Sequence, residues 1–495
     1  MKNFLNNMTR ENKLFVIFLI LHVVVWTCIS LIRVVMPTDT LEGIYWGSLH
    51  DFGTPKHPPL AAWLTYLAYL PFKIDFCVYL LSQIFIVLGF IYIYKLAKYF
   101  LDSNKACLSV IIMEGCWVYS YITSYYGFNP DVVLLLTLPA ISYYFYKTMK
   151  TDNNLDWLKL SLFIGFSCLG KYQTVFLLFF MLLWALRFNI TIFKKPKFYI
   201  LLLISFLIFL PHILWLYKYD FFPLFYFDGE LTSASWLDHI IAPFEFVFMQ
   251  LVAVIGVIVI FVASKLRFRS KFELVQNYSN SDFWFMMLIG LGPLALHIFM
   301  GILYGGTMRP RWGYEFLYML GILLFAFIPF KIEKKEFNFI FKLSLCVMSI
   351  IFVVLATLYS VEKNFRSRYP VSVVANDLKK IWADKFDTPL KYVGGYIEYT
   401  LPLTIYDDSH PENLLDTHCY KNPWLDENDI INSGAIILMD HPYGVVYYAQ
   451  KTFPHYIELN YKIKPVPFKF TVYNAFKMKR EYTIYYGIIP PRKSK

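Results

Sequence analysis

Long apolar runs separated by short polar segments set the rhythm of this chain. Candidate membrane spans fall at 14–36, 77–97, 107–123, 131–147, 198–217, 241–263, 283–303, 314–330 and 338–359. Each approaches the roughly 20 mostly apolar residues that a bilayer-crossing helix needs. The run 155–187 differs. As one helix it would measure about 50 Å at ~1.5 Å per residue, against a hydrocarbon core of about 30 Å. Lys171 sits in its middle, inside "CLGKYQT". The run reads either as one long helix with a buried lysine or as two short helices turning at Gly170-Lys171.

The positions of the basic residues separate these readings. Lys2, Arg10 and Lys13 place the N-terminus in the cytoplasm, and the clusters Lys95/Lys98/Lys105 and Lys147/Lys150/Lys159 return to the same side. With a hairpin at 155–187, three later clusters also face the cytoplasm: Arg187/Lys194/Lys195/Lys197, Lys265/Arg267/Arg269/Lys271 and Lys331/Lys334/Lys335. With a single helix all three face outward. The positive-inside rule favours the hairpin. The expected fold is a polytopic α-helical membrane protein of about eleven spans, with a cytoplasmic N-terminus and an extracytoplasmic C-terminus. The N-terminal apolar run lacks a small-residue cleavage site before Pro37 and reads as a retained first helix. In this topology Lys171 reaches the outer face, where an interfacial lysine with a snorkelling ammonium is the plain alternative to a functional one.

The pattern changes near residue 360. Apolar runs shorten, and Asp-Asp, Asn-Pro and Gly-Gly pairs appear. "KYVGGYIEYTLPLTIY" and "GAIILMD" read as strands and "VSVVANDLKKIWADKF" as an amphipathic helix. Residues 1–359 form the expected transmembrane domain and 360–495 a small extracytoplasmic α/β domain, a size adequate for one domain.

Composition narrows the class. The chain of 495 residues is 58% hydrophobic and 16% charged, well below the ~25% charged residues of soluble proteins. Its net charge of +11 is spread in short clusters between apolar runs, which argues against a nucleic-acid partner. Of seven cysteines, only Cys419 lies in the polar C-terminal part, and no CxxC or Cys/His metal spacing occurs. A divalent metal is compatible with the chemistry below, but no ligand set stands out.

The polar residues collect on the outer side. The first loop, from Pro37 to about Asp75, carries Asp39, Glu42, His50, Asp51, Lys56 and His57. Its apolar stretch 60–70 is too short to cross and is expected to lie along the interface. "TSYYGFNPD" adds Asn129 and Asp131, and "YGGTMRPRWGYE" adds Arg309 and Arg311. Carboxylates can accept a proton from a hydroxyl, and Lys, His and Arg can hold a phosphate. Polar groups at membrane depth are costly and point to function. Plainer roles exist for each. Asp39 could cap a helix starting near Leu41. Asp131 could serve the helix dipole as a first-turn acid. Arg309 and Arg311 could anchor the interface, and Asp51 reads as a turn residue.

"DTLEGIYWG", "KHPPLAAWL", "GFNPDVVLLL" and "SCLGKYQTVFLL" together resemble the bacterial membrane glycosyltransferases of the GT-C class, relatives of protein O-mannosyltransferases and lipid A aminoarabinose transferases. The resemblance runs through roughly the first 220 residues, and "NPWLDENDIINSGAIILMD…YYGIIPP" is similar to the outer domain of some bacterial members. It implies an enzyme of the bacterial inner membrane with a periplasmic C-terminal domain. A polyprenyl-phosphate-linked sugar would be the donor and a lipid or glycolipid the acceptor, lipid A or lipopolysaccharide core first and a protein hydroxyl second. It further implies a catalytic acid in the first outer loop. The family has adjacent Asp-Glu there, whereas this chain has Asp39-Thr40-Leu41-Glu42, so either Asp39 or Glu42 can be the base. Asp131 matches a second family acid, and Lys56 or His57 the phosphate-contacting cation. Arg309, Arg311 and Lys171 complete the candidate phosphate-binding set. A transporter of a lipid-linked sugar is the main rival, but it would favour internal repeats, and none is evident.

Overall fold

The computed structural model describes residues 9–224, 235–268, 278–306, 308–328, 332–415, 425–452 and 463–492. Among them, six helices are long and apolar enough to cross a membrane: Arg10–Ser30, Asp75–Ala97, Pro130–Thr151, Pro196–Lys218, Asn280–Tyr304 and Lys334–Val361. Two bent pairs raise the number to eight if each is one span. Ser103–Gly115 with Trp117–Tyr126 bends by 76°, and Asp238–Ala253 with Ile255–Phe268 by 55°. The chain is thus a mostly helical multi-pass membrane protein. Side chains such as Ile20, Phe206 and Val353 stay exposed on its apolar helices, as a lipid-facing surface requires.

The eleven expected spans exceed this count for physical reasons. The segment 314–330 is no single helix. It breaks into a short helix Arg311–Tyr314, a 3₁₀ turn Glu315–Met319 and a helix Leu320–Phe327. Inward contacts bend it: Glu315 turns its carboxylate to Lys171, and Gly321 lies so close to the Ser109 carbonyl that a Cβ would come within 1.8 Å. The run 155–187 splits into Asn154–Gly170 and Thr174–Phe188, with Lys171 in extended backbone between them. These two helices run in opposite directions along Pro130–Thr151. Ser167 bonds Thr137 near its start at 2.8 Å, whereas the Trp184 ring packs on Phe145 near its end at 5.7 Å. At 17 and 15 residues, each is shorter than the roughly 20 residues of a full span. The cationic segments Arg269/Lys271 and Lys331 lie outside the described residues.

Past the last long helix the chain forms a five-stranded mixed sheet of order β2-β1-β3-β5-β4. Strands β1 (Tyr392–Gly395), β2 (Glu412–Leu415) and β3 (Ala435–Met439) are parallel. Strands β4 (Val466–Tyr473) and β5 (Lys479–Ile489) complete it as antiparallel neighbours. Val371–Ala383 is the amphipathic helix expected there, burying Val374, Leu378 and Trp382. "KYVGGYIEYTLPLTIY" is a strand only over Tyr392–Gly395 and a helix over Ile397–Tyr406. Cys419 lies outside the described residues.

The sheet unit and the first loop share one core, in which Leu41, Ile44, Tyr45 and Ala62 pack with Tyr399, Leu401 and Leu403. Hydrogen bonds fix the contact. Tyr45 Oη donates to the Asn413 carbonyl at 3.0 Å. Tyr406 Oη donates to Asp75 Oδ2 at 2.9 Å and accepts from the Met36 amide at 3.0 Å. The C-terminal unit therefore braces the loop that carries the polar cluster.

Candidate functional site

The helix Thr38–Ser48 presents the first two acids. Pro37 precedes it without a side-chain cap, so Asp39 sits within the first turn and the capping role is not the one it plays. Asp39 and Glu42 are three residues apart and share a helical face. The helix is held against Leu60–Tyr69 by close approach of Gly43 to the Thr65 side chain and of Gly47 to the Ala62 backbone. A Cβ on Gly47 would come within 2.3 Å of the Ala62 carbonyl oxygen, the small-residue spacing that lets helices cross closely. Thr40, on another face, is buried and donates to the Tyr126 carbonyl at 3.1 Å.

A cavity of ≈ 140 Å³ opens beside this helix. Its walls include Asp39, Glu42, Trp46, Lys56, His57, Asn129, Lys171, Arg309, Arg311 and Trp312. Seven of the eight candidate site residues thus converge from three distant segments. Asp131, the eighth, stands just behind the wall. Asn129 caps its helix by accepting from the Val132 amide at 3.2 Å, and Asp131 occupies the first turn. Asp51 stays outside, accepting from the adjacent Phe52 amide in a local turn at 2.9 Å.

Every acid here faces a cation. Glu42 Oε1 lies 2.5 Å from Lys56 Nζ, and Asp39 Oδ2 lies 3.2 Å from Arg311 Nη1. Lys171 Nζ lies 2.5 Å from Asp131 Oδ1 and also contacts Glu315 Oε1. Lys171 is buried, so it does not snorkel to water. Its ammonium is held by two carboxylates, which makes it a link between helices before anything else. The acids differ in access. The Glu42 side chain is 4% exposed and that of Asp39 31%, so Asp39 is the one that solvent and a solute can reach.

His57 is positioned by Thr54, whose hydroxyl accepts from the His57 amide at 2.9 Å and donates to its carbonyl at 2.7 Å. Its Nδ1 is buried and has no hydrogen-bond partner among the described residues. Burial first, and the Lys171 charge second, push its pKa down to about 3, so His57 is neutral near pH 7. It can offer a hydrogen bond to an anion but no charge. Arg311 also stacks over the Tyr126 ring at 5.3 Å, a geometry suited to a guanidinium.

Glu315, buried behind the cavity wall against Lys171, is a charged residue that sequence reasoning passed over. The available signal was a carboxylate inside an apolar run, which is costly unless paired. Among the described residues, no group of three His, Cys, Asp or Glu side chains is arranged to hold a metal ion.

Fold and site together define a multi-pass membrane protein with a charge-paired polar cavity at one end of its helices. Residues 56–215 match the family profile described as dolichyl-phosphate-mannose-protein mannosyltransferase, and the resemblance of this chain is to membrane glycosyltransferases of the GT-C class. The match covers about a third of the chain. It takes in Lys56, His57, Asp131 and Lys171 and leaves out Asp39, Glu42, Arg309, Arg311 and Glu315. No curated protein matches the chain. Solved structures with some likeness include the apo oligosaccharyltransferase of Archaeoglobus fulgidus, at 11% identity and TM-score 0.46, covering 96% of this chain and 74% of that one. The archaeal oligosaccharyltransferase AglB from Archaeoglobus fulgidus, in complex with an inhibitory peptide and a dolichol-phosphate, overlaps at 11% identity and TM-score 0.38, covering 94% and 74%. Those overlaps are too loose to assign a site or a substrate.

Proposed function

We propose that this protein transfers a sugar from a polyprenyl-phosphate carrier to a hydroxyl or phosphate acceptor at the outer leaflet of a bacterial inner membrane, with a periplasmic C-terminal domain. The observation that carries the reading is the convergence of Asp39, Glu42, Lys56, His57, Arg309 and Arg311 on one cavity beside the apolar helices. The family match through residues 56–215 supports the glycosyl-transfer class.

The chemistry follows from the placement. An acceptor oxygen attacks the anomeric carbon, its proton passes to a carboxylate, and the bond to the carrier phosphate breaks with the electron pair leaving on phosphate. Asp39, the more accessible acid, is the proposed base. Glu42, buried and clamped by Lys56, orients rather than exchanges protons. Lys56, Arg309 and Arg311 bring positive charge to the place where negative charge develops on the leaving phosphate, and His57 adds a neutral hydrogen-bonding group. Trp46 and Trp312 offer apolar ring faces for the sugar. Asp131 and Lys171, bound to each other and to Glu315, set the back wall.

For the acceptor, lipid A or lipopolysaccharide core is the first reading. The matched family is described as acting on protein, which favours a protein hydroxyl as the second. Mass spectrometry of lipid A and of envelope proteins, with and without the gene, separates them. A hexose, hexuronate or aminosugar increment that depends on the gene is expected in one fraction. Identical spectra in both fractions oppose the proposal.

A further inference from the structure

The chain turns between β4 and β5 in a hairpin over Tyr473–Arg480. Tyr473, Phe476 and Met478 are exposed, Phe476 at 66%. The tip is tied to the end of the long apolar helix Lys334–Val361. The Ala475 amide donates to the Ser360 carbonyl at 3.1 Å, and Asn474 Nδ2 donates to the Val361 carbonyl at 3.1 Å. Buried Asn474 also accepts from the Phe476 and Met478 amides at 3.0 and 2.9 Å. Lys477 takes φ +58°. The tip is therefore a shaped turn, and its apolar side chains are held out by design of the backbone.

Its depth can be reckoned from the helix. Twenty-eight residues at ~1.5 Å each give about 42 Å, some 12 Å more than a hydrocarbon core of about 30 Å. The end at Val361 thus lies near the headgroups. Leu358 and Val361 on that last turn are themselves exposed, and the hydrogen bonds to the Ser360 and Val361 carbonyls hold the tip with its exposed Phe476 and Met478 next to that turn. Lys477, Lys479 and Arg480 flank these two, with Glu481 paired to Lys479 at 3.6 Å, which leaves the tip net cationic. Apolar side chains alternating with cations suit an interface of acyl chains below and anionic phosphates above.

We infer that this hairpin tip inserts Phe476 and Met478 into the adjacent bilayer surface, with Lys477 and Arg480 on anionic lipid headgroups, and so fastens the C-terminal sheet unit to the membrane. The inference does not depend on the proposed reaction. In nanodiscs containing phosphatidylglycerol, a nitrobenzoxadiazole probe on Phe476→Cys in a cysteine-free chain is expected to be quenched by lipids spin-labelled near the headgroup and shielded from aqueous iodide. The same probe on Lys385→Cys, exposed elsewhere on the unit, is expected to show the reverse. Equal iodide access at both positions, without lipid quenching at 476, overturns the inference. The unmodified protein gives a second reading. A diazirine-bearing phospholipid should leave adducts on Tyr473–Arg480, and adducts confined to the long helices count against the anchor.

Discussion

Arg311, 272 residues further along the chain, places a guanidinium nitrogen 3.2 Å from the Asp39 carboxylate. This contact closes the cavity, because it joins the first loop to a segment that follows the Asn280–Tyr304 helix. It also holds the carboxylate at the cavity wall. The three other acids around the cavity are more deeply held, each against a lysine.

Lys171 is the keystone of the buried charges. Lys171→Ala would remove the ammonium that both Asp131 and Glu315 contact. Breaking a buried pair by removing one partner costs about 3–5 kcal/mol, so thermal unfolding in detergent should show a large loss of stability. Glu315→Gln keeps the Lys171–Asp131 pair and should cost clearly less. A Lys171→Ala protein as stable as the parent would mean that the pairs contribute nothing to holding these helices.

The hairpin at Lys171 sets the membrane parity. Reporter fusions after Lys195, Lys271 and Lys335 should report cytoplasm, and a fusion after Lys495 the outside. An outside signal from the first three would mean that 155–187 crosses the membrane once and that the parity after it is wrong.

These points show what could be read from the chain and what could not. The long apolar runs were legible because a bilayer demands a length and a composition, and the break at Lys171 because a 33-residue run overshoots that length. The polar loop was legible because Asp39, Glu42, Lys56 and His57 crowd into a stretch that apolar residues surround. Partners were not. Nothing local says that Asp39 meets Arg311 or that Glu315 meets Lys171, since tertiary packing alone brings them together. The strand expectation at 391–406 failed past Gly395 for a related reason: the β-branched and aromatic residues of Ile397–Tyr406 bury against the first loop as a helix, and packing overrides local propensity.

Arg309 and Lys56 should matter for the donor more than for folding. Hydrogen bonds to charged groups contribute about 1.5–3 kcal/mol, or roughly 10- to 150-fold in affinity. Arg309→Ala should raise the KM for the lipid-phosphate donor on that scale. Lys56→Ala should do the same and lose some stability as well, because it removes an ion pair to buried Glu42. Unchanged donor kinetics in both variants would place the phosphate elsewhere, with Arg311 next in line.

His57 yields a pH signature. Its pKa is about 3 in the folded chain against an ordinary 6.5, so between these values the unfolded chain binds the extra proton. Stability must then rise with pH across that window and fall as pH drops from 6.5 toward 3. His57→Asn removes this contribution, and its unfolding temperature should decline less steeply over that range. Parallel declines would show that His57 titrates normally in the fold.

The most direct measurement is single-turnover sugar transfer by purified protein carrying Asp39→Asn, with donor binding measured alongside. General base catalysis contributes about 10²–10⁴-fold. The predicted result is a fall in transfer of that order with donor affinity retained, and a smaller fall for Glu42→Gln. Full transfer by Asp39→Asn contradicts the account: together with an inactive Glu42→Gln it moves the base to Glu42, and with both variants active it removes catalysis from this loop.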